Sequence, residues 1–516
     1  MKAIITSLVI SGVAGGALGQ GSLTLSTTNS NVKFSVSNNG TFFHNPTSTG
    51  TPGGYIVPKD SAVSSIYAMS FMAAGEDING LLKGAVAQYM TSDFKPGPFL
   101  MNFANYSSQS YLDKYQFSLW DITKVQIDNH IAHWMDAGYV VPAVIAGWPG
   151  NGNTGNGESP LLAPFHDVDG DQIYEPQNGD YPLIRGDKAV YTIINDGNGI
   201  HPSGTEPIGL EVHMMFYQYE DPSDENLTNT VFFQTTLFNR GTQTLYHFHA
   251  GHLIDFDLGN PHDDYIGSLP SDNLVYVYNG TSNDADFSGN PGFGSMPPAA
   301  GIINLEGALN SHIPLTGPTS LNSPAAYYNV LQGLLPDGSP LIDDLNQPNP
   351  FIYSGFYPLG GTWNEVSLGN APGDRRSVIG HDEANFWPGR SLCYNHAAIF
   401  ARKSGNLTAS VDSLFQVANH IQNFYDSQNF YCETQLMSIQ EAQKLKVSIY
   451  PNPAKDQLHV EGVTTGIYRI LTLDGKEVQA GNLENSIVPV DSLKNGFYLF
   501  EISSGEKYDR KSFVKE

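Results

Sequence analysis

The run APFHDVDGDQIYEPQNGDYPLIRGD, residues 163–187, sets three carboxylates on alternate positions, Asp167, Asp169 and Asp171. In a tight loop all three converge on one hard cation, and Gly170 lets the backbone bend, so the chemistry expected is a Ca2+ site of oxygen ligands. Asp180 is placed to close the shell, with Glu175 and Asp187 as weaker candidates; the alternative is a surface loop rich in Asx turns. A second acidic group lies in HLIDFDLGNPHDDYIGS. There Asp255 and Asp257 share a strand face by the two-residue period, and Asp263 and Asp264 follow soon after a turn. Like charges this close need a cation or wide solvation, which makes this group a weaker Ca2+ candidate.

The first loop is similar to the first half of the calcium loops of EF-hands and dockerins. It departs from them at the sixth position, Gln172 rather than Gly, and at the twelfth, Asn178 rather than an acidic residue. Just before the second group, the run HFHAGH holds His247, His249 and His252. His247 and His249 fall on one side of a strand, and with His252 or Asp255 they would make a Zn2+ set; ordinary polar or core histidines are the commoner outcome. His130 and His133 lie three apart on an expected helix but lack a third ligand. Glu211 with His213, or His381 with Glu383, can be paired as acid and base, as can residues of any long chain. Gly-x-Ser-x-Gly, His-Glu-x-x-His and a cysteine nucleophile context are all absent, so no catalytic residue is assigned. The glycine-rich NGNTGNGESP lacks the Lys-Ser/Thr of a phosphate loop and reads as a connector.

The elements that must carry these residues are mostly strands. From residue 191 to 278, strand-length runs such as LEVHMMFYQYE and NLVYVYNG alternate with polar turns, which argues for antiparallel sheets packed as a sandwich. Upstream, SIYAMSFMAAGEDINGLLKGAVAQYM reads as a hairpin turning at Asp77 to Gly80, and residues 32–36 as one edge strand followed by a loop. Residues 121–137 read as a helix with a capping box of Thr123 and Gln126 and an apolar face of Ile122, Val125, Ile131, Trp134 and Met135. A second helix is expected over 410–426, packing through Val411, Leu414, Phe415, Ala418, Ile421 and Tyr425. Residues 280–375, with much Gly, Pro and Asn, read as long loops or an insertion.

At 516 residues and 40% hydrophobic content the chain has ample core for several domains. Its net charge of −26 makes nucleic acid an unsuitable partner. That charge is uneven: residues 447–516 hold eight Lys/Arg against ten Asp/Glu, so the preceding residues carry −24. Met1 and Lys2, followed by AIITSLVISGVAGGALGQ, form a secretory signal peptide over 1–19, and no later segment is apolar enough to span a membrane. In an exported protein the two cysteines, Cys393 and Cys432, suit either one disulfide or two buried thiols.

The last seventy residues open with VSIYPNPAKDQLHVEG and close with NGFYLFEISSGEKYDRKSFVKE. Short alternating segments, broken at Asp474-Gly475 and Asn495-Gly496, indicate a small β module. This tail resembles the C-terminal sorting domain of the type IX secretion system of Bacteroidota, in the motif Tyr450, Pro451, Asn452, Pro453 and in the basic end from Lys511 to Lys515. The resemblance implies recognition by the outer-membrane translocon and a role in export for those residues. Stretches of residues 60–430, among them DFDLGNPHDDYIGS and APGDRRS, are similar to a group of uncharacterised proteins secreted by the same route.

The expectation is therefore a mainly β, multi-domain chain: signal peptide 1–19, an acidic sandwich-like body 20–430 with a few helices and long loops, a linker 431–446, and a small β-sandwich sorting domain 447–516. It is expected to reach the cell surface or the medium as a Ca2+-stabilised binding or structural protein, its partner a glycan or another surface protein. The alternative is a secreted hydrolase of polysaccharide or peptide, using a metal or paired carboxylates.

Overall fold

The computed structural model describes residues 22–26, 30–45, 54–88, 91–101, 103–197, 199–289, 291–315, 321–356, 360–381, 384–405, 408–428, 447–472, 477–483, 486–504 and 507–516. The signal peptide, the linker 431–446, Glu383 and Cys432 lie outside these residues. The chain divides into two compact units, Met1–Phe430 and Tyr431–Glu516.

The first unit contains two large antiparallel sheets. One runs Ser22–Ser26, Lys33–Ser37, Thr41–Phe42, Ala68–Glu76, Leu245–Asp255, Arg376–His381 and Leu309–Leu315, with Leu82–Val86 also on Ala68–Glu76. The other runs Asp264–Leu269, Leu274–Asn279, Ala299–Asn304, Ser391–Ala401, Val231–Asn239, Leu210–Gln218, Lys188–Asn195 and Lys95–Pro96. They face each other: Phe42 of the first lies 4.9 Å from Phe216 and 5.1 Å from Phe233 of the second, centroid to centroid. This is the sandwich expected, its aromatic side chains filling the space between sheets.

Helices close the outer faces. Pro324–Leu331 packs on the first sheet. Ala409–Ser427 covers the second, burying Val411, Leu414, Ala418, Ile421 and Tyr425 as the helical spacing requires. Strands inside such layers have two buried faces, so all nine residues of Leu210–Gln218 are buried and its sequence LEVHMMFYQ hardly alternates.

The hairpin forms as read. Ala68–Glu76 pairs with Leu82–Val86, and in its turn the Asp77 carboxylate accepts from the amides of Asn79 and Leu81 while Gly80 takes a positive φ of 74°.

Three expectations need correction. Residues 120–123 are a strand on Lys188–Asn195, so the helix begins only at Lys124. The capping box of Thr123 and Gln126 is present, but this start turns Ile127 and His130 inward and leaves Val125, Ile131 and Met135 exposed. Residues 280–375 are not loops alone: Ala299–Asn304 is an inner strand of the second sheet and Leu309–Leu315 an edge strand of the first. In Ala299–Asn304 small residues and double burial hide the period of two. Finally, Lys33–Ser37 is an inner strand, because Ser22–Ser26 pairs outside it.

Cys393, on Ser391–Ala401, is disulfide-bonded rather than a free thiol. No helix among the described residues is long and apolar enough to cross a membrane.

The second unit is a small sandwich of its own. A three-stranded sheet, Ser448–Tyr450, Gln457–Glu461 and Ile487–Pro489, faces a four-stranded sheet, Glu477–Leu483, Gly466–Thr472, Gly496–Ser504 and Lys507–Lys515. Leu458, Val460 and Val488 of the one meet Ile470, Phe500, Ile502 and Phe513 of the other. Asn495-Gly496 is not a hairpin turn; there the chain passes from the first sheet into the second. Asp474-Gly475 lies outside the described residues.

Candidate functional site

The sequence loop at 167–180 holds its carboxylates largely by backbone amides. Oxygens of Asp167, Asp169 and Asp171 lie within 4.8 Å of one another. Asp167 accepts from Gly170 and Gln172 at 2.7 Å each; desolvation alone would raise it, but these amides together hold it below its ordinary range. Desolvation and the neighbouring Asp171 push Asp169 the other way. Gly170 and Gln172 both take positive φ, which gives the sharp bend.

Asp180 does not join this group. It is buried, and its two oxygens accept from the amides of Val168 at 2.9 Å and Glu175 at 2.8 Å, so it braces the base of the loop. Glu175 accepts from the Asn178 side chain and Asp187 from the Glu220 amide, both outside the cluster.

The second acidic group is reorganised. Asp255 and Asp257 are joined by Asp374, from the APGDRRS stretch, with oxygens within 4.8 Å of one another. Arg376 lies between two of them, 2.9 Å from Asp255 and 3.1 Å from Asp374. One guanidinium thus faces three carboxylates. Buried Oδ1 atoms of Asp257, Asp263 and Asp264 have no hydrogen-bond partner. Burial, then repulsion from Asp255 and Asp374, pushes the Asp257 carboxyl well above its ordinary range, with Arg376 offsetting only part. Asp264 rises similarly, through burial and then Asp257, Asp263 and Asp284, although the Leu258 amide bonds its other oxygen. Asp263 and Asp264 are therefore neighbours of the cluster rather than members of the converging set.

The histidines sort differently from the reading by strand parity. A bulge interrupts pairing between Tyr246 and His249. His247 is exposed, and His249 faces the helix Pro324–Leu331, its ring 6.2 Å from Tyr328. His252 points the other way, between the sheets, where it meets two histidines from distant sequence. His252, His381 and His396 are 0, 2 and 0% exposed, and one ring nitrogen of each lies within 4.8 Å of the others. The Nε2 atoms of His381 and His396 are 3.1 Å apart. Both nitrogens of His252 and Nδ1 of His396 have no partner. Burial lowers the basicity of all three, His381 to about 3. Sequence reading missed His396 altogether, because its only signal is the polar pair Asn395 and His396 ahead of the apolar run that ends the strand SLCYNHAAIFA.

The nominated acid–base pairs are structural. Glu211 accepts from Arg240 at 2.7 Å, His213 at 3.0 Å and the Phe99 amide at 2.8 Å. Burial alone would raise it, but Arg240 and His213 hold it at about 2. His381 belongs to the histidine cluster. His130 bonds the Asp180 carbonyl at 3.1 Å and His133 the Asp136 carboxylate at 2.7 Å, so they make no metal pair.

In the second unit the two tail motifs lie side by side. Asn452 bonds the backbone of both Ser512 and Val514, and Ala454 exchanges backbone bonds with Val514 and Glu516. Tyr450 stacks on His459 at 5.4 Å. Pro451 and Pro453 flank Asn452; Lys511 is opposite Phe500 in the ladder, and Lys515 is buried beside Glu516.

Residues 448–516 match the model of the secretion system C-terminal sorting domain. No curated protein matches the chain. Among solved structures, a polysaccharide lyase is similar at 9% identity and a TM-score of 0.19, over 86% of this chain and 46% of the lyase, so the chain spans about half that protein's length. A putative aldose 1-epimerase from Escherichia coli K12 is similar at 12% identity and a TM-score of 0.23, over 75% of this chain and 100% of the other. Both scores are too low to carry an argument. The tail is decisive: this chain is a cargo of type IX secretion, a route that the family implies for Bacteroidota, and it is exported through the outer membrane to the cell surface or the extracellular space.

Proposed function

We propose that the exported body is a Ca2+-stabilised binding or structural protein acting outside the cell on a glycan or another surface protein. The observation that carries the calcium reading is the group of Asp255, Asp257 and Asp374, with its partnerless buried carboxylate oxygen on Asp257 and a single arginine against three carboxylates. Hard oxygen donors of excess negative charge are the ligands Ca2+ takes, and the ion would relieve their repulsion. The loop of Asp167, Asp169 and Asp171 is a second, more exposed candidate.

The test is calcium analysis of the purified chain, with melting followed before chelation, after it, and after Ca2+ is restored. Bound Ca2+ and a Tm that falls and recovers support the reading. No bound Ca2+ and an unchanged Tm sink it.

A second reading, a secreted hydrolase working through carboxylates, draws on Asp257 alone. A carboxyl whose proton affinity burial and its neighbours raise is the kind a general acid uses. Turnover of a polysaccharide or peptide panel that Asp257→Asn abolishes, without a change in Ca2+ content, would favour it over the first.

A further inference from the structure

We propose that His252, His381 and His396 form a zinc-type site that holds one divalent transition-metal ion between the two sheets of the body. The three residues come from separate strands: Leu245–Asp255 and Arg376–His381 of the first sheet, and Ser391–Ala401 of the second. Nothing in their sequence spacing brings them together; the facing of the sheets does.

The geometry fits imidazole ligation. With Zn–N bonds of about 2.0–2.1 Å at tetrahedral angles, ligand nitrogens sit about 3.4 Å apart and ring centroids about 5 Å apart. Here Nε2 of His381 is 3.1 Å from Nε2 of His396. Ring centroids are 4.9 Å apart for His381 and His396, 5.0 Å for His252 and His396, and 6.2 Å for His252 and His381. A small closing movement of His252 completes the set.

The hydrogen bonding points the same way. Buried polar atoms in proteins nearly always have partners. In this cluster one contact between imidazoles serves three rings, and both nitrogens of His252 and Nδ1 of His396 have no partner. The surroundings offer them none. Phe42, Phe71 and Phe233 meet the His252 ring edge to face, and Phe233 stacks on His396. A set of nitrogen donors without carboxylate selects a borderline cation such as Zn2+ over Ca2+. This site is independent of the aspartate clusters, so its metal differs from theirs and the two can be occupied at once.

The ion would act as a cross-link. Two of its ligands belong to one sheet and the third to the other, so binding would hold the sheets at their facing surface.

The test uses the full chain, stripped with a chelator, kept in millimolar Ca2+ so that carboxylate sites stay filled, and given one equivalent of Zn2+. The expected result is one Zn2+ retained through gel filtration, a higher Tm that a chelator reverses, and X-ray absorption showing three imidazole nitrogens at about 2.0 Å. His381→Phe should lose the retained Zn2+ while keeping the response to Ca2+. Failure of the wild-type chain to retain Zn2+, retention without three imidazoles in the absorption spectrum, or equal retention by His381→Phe would each overturn the proposal. Should His381→Phe not fold, the ligand count in the wild-type spectrum decides alone.

Discussion

Asn452 joins the two ends of the sorting domain: its side-chain oxygen accepts from the Val514 amide at 2.9 Å and its side-chain nitrogen donates to the Ser512 carbonyl at 3.2 Å. The opening motif and the basic terminal strand are thereby one surface. That surface exists only in the folded domain.

Asn452→Ala removes both bonds. The expected cost is about 1–2 kcal/mol for the domain, since each net hydrogen bond contributes about 1 kcal/mol. Urea denaturation of the full chain, followed at the domain's tyrosines, should show the lower midpoint, and less protein should reach the surface. An unchanged midpoint would separate Asn452 from folding.

The two aspartate clusters should differ in weight. Asp374→Asn is expected to remove most of the Ca2+-dependent rise in Tm, because its cluster shares in burial, whereas Asp171→Asn removes little, being exposed and screened by solvent. A Ca2+ titration of Tm for both variants checks the order.

Glu211 should make the body acid-sensitive. Its pKa falls from an ordinary 4.5 to about 2 on folding, so its contribution is full above 4.5 and is lost as pH falls toward 2. That difference corresponds to about 3 kcal/mol. His213, lowered by burial against the raising effect of Glu211, adds a loss of the same sign below 6.5. Glu211→Gln leaves Arg240 without its charge partner and is expected to cost about 3 kcal/mol at neutral pH, with a flatter dependence on pH between 5 and 2 in chemical denaturation.

Gly251 sits where the first sheet meets its covering helix. A Cβ there would lie 2.1 Å from the Ile379 carbonyl oxygen and 2.8 Å from Leu331 Cδ2. Gly251→Ala is expected to cost about 1–3 kcal/mol as overpacking, read as a lower Tm with unchanged Ca2+ affinity.

What the sequence disclosed follows physical locality. The turn at Asp77, the capping box at Thr123 and the stripe of Ala409–Ser427 depend on residues a few positions apart, and each formed as read. The converging Asp167, Asp169 and Asp171 are local in the same sense. Asp374 is not legible because Asp255 and Asp257 lie more than a hundred residues away, and His396 because His252 is as distant and His381, 15 residues off, is on the other sheet; only sheet order joins them. Where both faces of a strand are covered, as in Ala299–Asn304, the alternation that identifies strands is erased. The inward face of the helix at Lys124–His133 differs from the stripe read in the sequence for a third reason: Ile122 belongs to the preceding strand.

The strand order carries a consequence for the moment of folding. Ser391–Ala401 lies between Val231–Asn239 and Ala299–Asn304, and Arg376–His381 between Leu245–Asp255 and Leu309–Leu315. The last strands of the body in sequence are thus interior to both sheets. Until the chain through residue 401 is present, the inner strands Val231–Asn239, Ala299–Asn304 and Leu245–Asp255 have open edges and Leu309–Leu315 lacks its neighbour in the sheet; open edges are the surfaces on which chains aggregate. Contacts of such long range also fold slowly. A fragment ending before residue 376 should therefore be insoluble rather than merely less stable, and a chain delivered from its N-terminus can complete neither sheet until nearly all of the body has emerged.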